Sequence, residues 1–242
     1  ASGGSVAMNS DEIRNDIERI LAKGYKAYKM RVGLQSWKKD IERVSTARNI
    51  IGENNILMID AIMGTLPNPW GLDRAKKCIK DLSVFNPYWL EEPLSPENFI
   101  GYQELGKDSL IPIAMGESLT STNEFEAYIS GNCVGYIQPD VTHCGGFSRI
   151  VKIINFAKKY NIPVALHVWG SAISVMSNLH IALAMSEVCW LEIPQVRLNL
   201  LFDQLSENIS IKNGSIFLND KPGLGISINK EDKNKYPFVR GS

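Results

Sequence analysis

The sequence has no apolar run approaching the ~20 residues that span a bilayer, so no membrane partner is expected. It has no excess of charge: 26 Lys and Arg balance 26 Asp and Glu, for a net charge of +0. A nucleic-acid binder usually carries a basic excess, so that class is set aside as well. Cysteine is sparse. Cys78, Cys133, Cys144 and Cys189 are 55, 11 and 45 residues apart, which excludes C-x-x-C redox and zinc-knuckle patterns. Four scattered cysteines read as buried thiols in a reducing compartment. The stretch from Ala1 to Ser10 is small and polar, unlike a signal peptide, and a cytoplasmic location is expected.

What is present is a beat. Strand-length apolar runs fall at 28–32 (YKMRV), 56–60 (ILMID), 88–92 (YWLEE), 111–117 (IPIAMGE), 134–140 (VGYIQPD), 163–167 (PVALH) and 188–192 (VCWLE). Amphipathic stretches of helical period lie between them at 11–23, 37–51, 73–82, 123–129, 147–160 and 172–185. Ser10 and Gly24 are the expected caps of the first. Strand and helix in alternation predict an α/β protein with a parallel sheet.

Almost every run ends in an ionisable residue: Lys29 and Arg31, then Asp60, Glu91, Glu117, Asp140, His167 and Glu192. From Lys29 the steps are 31, 31, 26, 23, 27 and 25 residues. An open sheet gathers its ligands at one switch point, whereas a barrel rings one mouth with its strand ends. The even spacing favours the barrel. Only seven strands are countable, and 1–5 (ASGGS) reads as the tail of an eighth whose beginning is missing.

Asp60, Glu91 and Glu117 come from neighbouring strands, and three converging carboxylates repel unless a cation sits between them. An all-oxygen set suits Mg²⁺, with Mn²⁺ as the alternative, over Zn²⁺. Glu92 should point away from Glu91 on an extended strand. Asp140 behind His167 makes a proton-transfer dyad, because a carboxylate fixes the imidazole tautomer. His143 is expected at the rim and His180 in the packing. Trp169 either lines the site or packs beneath a loop.

These pieces, taken in order, resemble the enolase superfamily, in its mandelate racemase-like subgroup. The resemblance rests on YKMRVG (28–33), LMIDA (57–61), WLEEP (89–93), AMGES (114–118), IQPDVTHCGGFSRI (137–150), ALHVWGS (165–171), CWLEIP (189–194) and PGLGI (222–226). It implies a modified TIM barrel, (β/α)7β, here lacking most of strand one and the N-terminal α+β capping domain. The barrel is expected over 1–205, with 206–242 as a tail returning to that cap. The resemblance puts divalent-metal ligands at Asp60, Glu91 and Glu117. It puts the dyad at His167 and Asp140, and a substrate-end carboxylate at Glu192. An Asp at 140 speaks against the muconate-lactonizing subgroup, which carries a lysine there.

Two departures stand out. The strand-two signature is often K-x-K, but here it is Lys29-Met30-Arg31, and arginine is a poor base. An Asn commonly follows two places after the metal-strand Asp, but here that residue is Ile62. The reading implied is a sugar-acid dehydratase, a hydro-lyase that gives a 2-keto-3-deoxy acid. Its alternatives are a racemase or epimerase of a hydroxy acid, and a non-catalytic acid-binding barrel. The expected partner is a small sugar acid, and a homo-oligomer is expected by the habit of the family.

Overall fold

Seven parallel strands run in sequence order around one sheet: β1 (Ala27–Arg31), β2 (Ile56–Asp60), β3 (Leu90–Glu91), β4 (Ile113–Met115), β5 (Tyr136–Ile137), β6 (Val164–Leu166) and β7 (Val188–Leu191). The structure, a computed structural model, describes residues 1–195, 210–212, 214–218 and 220–227. Residues 1–4 lie between β1 and β7. Ser2 donates its N–H to the Ile193 carbonyl at 3.0 Å and accepts from the Gln195 N–H at 2.9 Å. On the other side Gly3 donates to the Lys29 carbonyl at 3.1 Å, and Arg31 donates to the Gly4 carbonyl at 3.0 Å. These bonds join the first strand to the last and close the ring.

Glycine is required at that seam. A Cβ on Gly3 would meet Asp16 Oδ2 at 2.3 Å. Gly4 has φ +56, and a Cβ there would meet Met30 Cβ at 2.5 Å. Asp16 itself accepts from the Gly4 N–H at 3.0 Å and the Tyr28 hydroxyl at 2.8 Å, which ties the seam to α1 (Ser10–Ala22).

Each of β1 to β6 is followed by a helix. In chain order these are α2 (Trp37–Ile51), α3 (Leu72–Ser83), α4 (Phe99–Asp108), α5 (Thr122–Ser130), α6 (Phe147–Lys159) and α7 (Ala172–Ala184). Helix α1 buries Ile13, Ile17 and Ile20, one stripe of a 3.6-residue period. Its cap is Asn9 rather than the expected Ser10. The Asn9 side chain accepts from the Asp11 and Glu12 N–H groups, and Glu12 returns the bond to Asn9 N–H, a reciprocal capping box. Gly24 follows the helix with φ +86, the left-handed position that glycine takes without strain. Helix α4 is an addition to the sequence reading. Gly101 and Gly106 interrupt its period, and Ile100 is exposed.

Alternation along the strands sorts the side chains. Tyr28, Met30, Leu57, Ile59, Leu90 and Ile113 pack outward with the helices, in the main core. Ala27, Met58, Trp89, Ala114 and Ala165 form a separate cluster inside the ring. Tyr88, Trp89, Tyr136 and Trp190 join it, with ring centroids 5.2–5.7 Å apart. This aromatic plug fills the N-terminal end of the barrel and leaves the charged residues to the other end.

Beyond β7, the described hairpin of β8 (Ser210–Lys212) and β9 (Ser215–Phe217) is followed by residues 220–227. Ile216, Leu224 and Ile226 pack against a cluster of Val168, Val175, Met176 and Leu179 on and before α7. The boundary expected at 205/206 and the remainder of the 206–242 tail lie outside the described residues. Three cysteines are buried as expected, but Cys189 is exposed. No helix among the described residues is long and apolar enough to cross a membrane.

Candidate active site

Strand register brings the first charges to one level. β1 pairs Arg31 with Asp60, and β2 pairs Asp60 with Glu91. β4 stops at Met115, and Gly116, with φ +136, turns the chain so that Glu117 follows at the mouth. One carboxylate oxygen from each of Asp60, Glu91 and Glu117 lies within 4.8 Å of the others. Burial, and then the Glu91 charge, push the Asp60 carboxyl well above its usual range. Glu117 is also raised, by burial first, with Glu91 adding to it and His167 opposing. Three hard oxygen donors whose repulsion Lys29 and Arg31 only partly offset fit a small divalent cation such as Mg²⁺.

Lys29 lies between this triad and Glu192. Its Nζ is 2.6 Å from Glu91 Oε1 and 3.0 Å from Glu192 Oε1. Burial disfavours the ammonium, but Glu192, Glu91, Asp60 and Glu117 together outweigh it and hold Lys29 charged. Glu192 shows the reverse balance: burial opposes its charge, and Lys29, His167 and Arg31 bring it down to about 2. Its Oε2 also accepts from the Val168 N–H at 3.2 Å, which fixes the carboxylate against the loop after β6.

Arg31 is pinned on every side. Its Nε is 3.5 Å from Asp60 Oδ2 and its guanidinium donates to the Gly3 carbonyl and to Ser2 Oγ. The guanidinium carbon stands 4.6 Å from the centroid of the Trp169 ring. Trp169 therefore meets the site through Arg31, which resolves the choice left open for it.

The dyad is assembled from β5, β6 and α7. His167 Nδ1 lies 3.1 Å from Asp140 Oδ2. Asp140 Oδ1 is filled by the Thr142 N–H at 2.8 Å, the Thr142 hydroxyl at 2.7 Å and Asn178 Nδ2 at 2.9 Å. Burial opposes the Asp140 charge, yet the bonds from His167, Asn178 and Thr142 hold its pKa below the usual value. His167 Nε2 is 3.5 Å from Glu117 Oε2 and 3.9 Å from Glu192 Oε2. Burial lowers the basicity of His167, but Asp140, Glu192 and Glu117 reverse this and lift it to about 9.

Three residues enter the picture from the structure. Asn178 is fully buried on α7 and also accepts the Val141 N–H at 3.0 Å, so it fixes both Asp140 and the turn after it. A polar side chain in the apolar run AISVMSNLHIALA was its only sequence signal. Glu92 departs from simple strand alternation. It has φ +38, is 1% exposed, and accepts from Ser118 Oγ at 3.3 Å. Ile62 also lies in the left-handed region, with φ +51, and donates its N–H to Asp60 Oδ1 at 2.7 Å. His143 is exposed in the turn after Asp140, its ring centroid 5.9 Å from that of His167. His180 is partly buried on α7 and takes no part in the cluster.

Known proteins resemble this chain in sequence and fold. The chain is 30% identical over 230 residues to the L-talarate/galactarate dehydratase of Salmonella typhimurium, covering 95% of this chain and 54% of that protein. It is 30% identical over 230 residues to the arabinonate dehydratase of Saccharolobus solfataricus, covering 94% and 60%. The chain thus spans a little over half the length of these relatives. Among solved structures, the 3,6-anhydro-D-galactonate cycloisomerase of Zobellia galactanivorans superposes with a TM-score of 0.86 at 26% identity, covering 97% of this chain and 64% of that one. The L-talarate dehydratase of Polaromonas sp. JS666, solved with Mg and L-glucarate, gives 0.82 at 27% identity, covering 96% and 61%. The family model for the enolase C-terminal domain-like fold matches residues 12–233. The chain belongs to that family, and through it to the enolase superfamily.

Proposed function

We propose that the protein removes the proton α to the carboxylate of a sugar acid and then expels the β-hydroxyl as water, a dehydration that yields a 2-keto-3-deoxy acid. The observation that carries this reading is the contact between the two charge systems. The dyad imidazole presents Nε2 3.5 Å from Glu117, one of the three converging carboxylates. A base and a cation site on one wall of a barrel mouth suit a substrate bearing both a carboxylate and an acidic C–H.

Asp60, Glu91 and Glu117 would hold Mg²⁺. When bound, that ion supplies positive charge to the substrate carboxylate as it gains electron density. Lys29 and Arg31 add fixed positive charge beside it. Asp140 accepts from His167 Nδ1–H, and a cation on Glu117 would cancel part of the negative charge that raises the His167 pKa, so that the ring gives up its Nε2 proton and offers the lone pair there. Nε2 takes the α-proton and the electron pair moves toward the carboxylate. The C–O bond to the β-hydroxyl then breaks, and Nε2–H returns its proton to the departing oxygen, which leaves as water. The enol left behind becomes the ketone by moving one proton to carbon. Glu192 is placed to meet the substrate near its carboxylate end, beside Lys29.

The rival reading, epimerisation, asks for a second base on the opposite face. Lys29 is held charged by four carboxylates and Arg31 is bound on all sides, so neither offers a lone pair. The test is proton NMR of the full-length protein with Mg²⁺ and a panel of sugar acids in D₂O. The dehydratase reading expects a new 3-deoxy methylene with at least one acid. Loss of the α-proton signal without a methylene assigns epimerisation instead. Ligand-induced stabilisation without any exchange assigns a binding barrel.

A further inference from the structure

The dyad contains a second set of metal donors that the reaction does not use as such. One ring nitrogen each of His143 and His167 and one carboxylate oxygen of Asp140 lie within 4.8 Å of one another. Two imidazoles and a carboxylate are a different chemistry from the carboxylate triad. They suit borderline cations such as Zn²⁺, whereas Mg²⁺ prefers oxygen and keeps its water.

The geometry is close to a coordination edge. Two ligand atoms each ~2.0–2.1 Å from a tetrahedral ion lie about 3.3 Å apart. His167 Nδ1 and Asp140 Oδ2 are 3.1 Å apart. An ion held by both would sit to one side of the Nδ1–Oδ2 line, so the imidazole and the carboxylate each turn toward it. Asp140 Oδ1 carries three donors, which leaves Oδ2 as the oxygen for metal. His143 supplies the third arm. The Asp140 carbonyl accepts the His143 N–H at 3.0 Å, and this turn sets the ring over the dyad. His143 is exposed, and its ring centroid lies 5.9 Å from that of His167.

We propose that Asp140, His143 and His167 form an inhibitory site for a borderline divalent cation of the Zn²⁺ type, distinct from the Mg²⁺ triad. An ion there would displace the Nδ1 proton to solvent and bind Nδ1 and Oδ2 in its place, which breaks the hydrogen bond that makes the dyad. It would disable proton transfer while leaving the triad ligands in place.

Cobalt is the probe, because Co²⁺ absorbs strongly in the visible when held by few nitrogen and oxygen ligands and weakly when six-coordinate to oxygen. The full-length protein, with excess Mg²⁺ to occupy the triad, is titrated with Co²⁺. The expected result is a visible band saturating at one equivalent and abolished by Zn²⁺. His143→Gln, at an exposed position, should weaken Co²⁺ affinity tenfold or more with an unchanged thermal melt. Glu91→Gln should leave the band in place. Absence of a band overturns the proposal. So does a band of undiminished affinity in His143→Gln, or one lost in Glu91→Gln, which would assign the cobalt to the triad.

Discussion

Lys29 Nζ lies 2.6 Å from Glu91 Oε1, and neither side chain is more than 5% exposed. The ammonium that faces the substrate side and the carboxylate that faces the cation side thus share one contact. Trp89 Nε1 donates to the other Glu91 oxygen at 3.1 Å, so the aromatic plug below holds the carboxylate in place. Charge at the mouth and packing at the base are coupled through this one residue. A cation held by the triad would compete with Lys29 for Glu91 and leave the ammonium to Glu192, 3.0 Å away.

The triad itself works against stability until a cation arrives. Asp60 has a folded-state pKa above its unfolded value, so the folded protein binds more protons there. Stability then falls as pH rises from the unfolded carboxyl range of about 3.9 upward. Asp60→Asn should raise the melting temperature of metal-free protein at pH 7, by about 2–4 °C for each ~1 kcal/mol gained. It should also remove the stabilisation that Mg²⁺ gives the wild type. Thermal melts at pH 5 and pH 7, with and without Mg²⁺, read both effects. A lower melting temperature in the metal-free variant at pH 7 would contradict this account.

His167→Asn keeps a polar side chain in the cleft but removes Nε2 as a base. Turnover should drop by about 10²–10⁴-fold, the usual weight of general acid–base catalysis. Mg²⁺ affinity by calorimetry should stay within a factor of a few. Comparable turnover in the variant would take His167 out of the base role.

Asn178→Ala tests a positioning residue that touches no substrate. It leaves the buried Val141 N–H without its partner and takes one donor from Asp140, at a cost of about 1–3 kcal/mol in stability. The readout that separates positioning from mere stability is catalytic. Below the melting transition kcat should fall while KM changes little, and the acid limb of the pH–rate profile should move as Asp140 loses its hold on the imidazole. An unchanged profile would leave Asn178 a structural residue only.

Ile62 is β-branched and sits in the left-handed region, which costs an L-residue roughly 1–2 kcal/mol. Asn tolerates that conformation far better. Ile62→Asn should therefore raise the melting temperature while keeping the 2.7 Å bond from its N–H to Asp60. A destabilised variant would mean that the isoleucine side chain contributes more through packing than its backbone loses.

Much of this site was written in the sequence because barrel geometry is periodic. Asp60, Glu91, Asp140, His167 and Glu192 each close an apolar run, and parallel register carries the ends of such runs to one face. The exceptions have local causes. Glu92 cannot be placed by strand alternation, because a positive φ turns the chain at that residue. Asn178 sits mid-helix beside Ser177, with Ser174 and His180 in the same helix, and such a polar residue says only that it has a partner, not which one. Helix α4 was hidden by two glycines in its span. The Asn9 cap was masked by Ser10, an equally good capping residue one place later. Residues 1–5 were legible as the tail of an eighth strand, and Ser2 bridges in parallel to both Lys29 and Pro194, as a closed barrel requires.

That seal has a further consequence. The backbone of Ser2, Gly3 and Gly4 pairs flanks of β1 and of the segment after β7 that would otherwise be bare edges. If these residues peel away, the flanks of β1 and of that segment expose rows of unpaired N–H and C=O groups, a template for strand addition by other molecules. The same bonds that complete the barrel therefore also guard the protein against self-association.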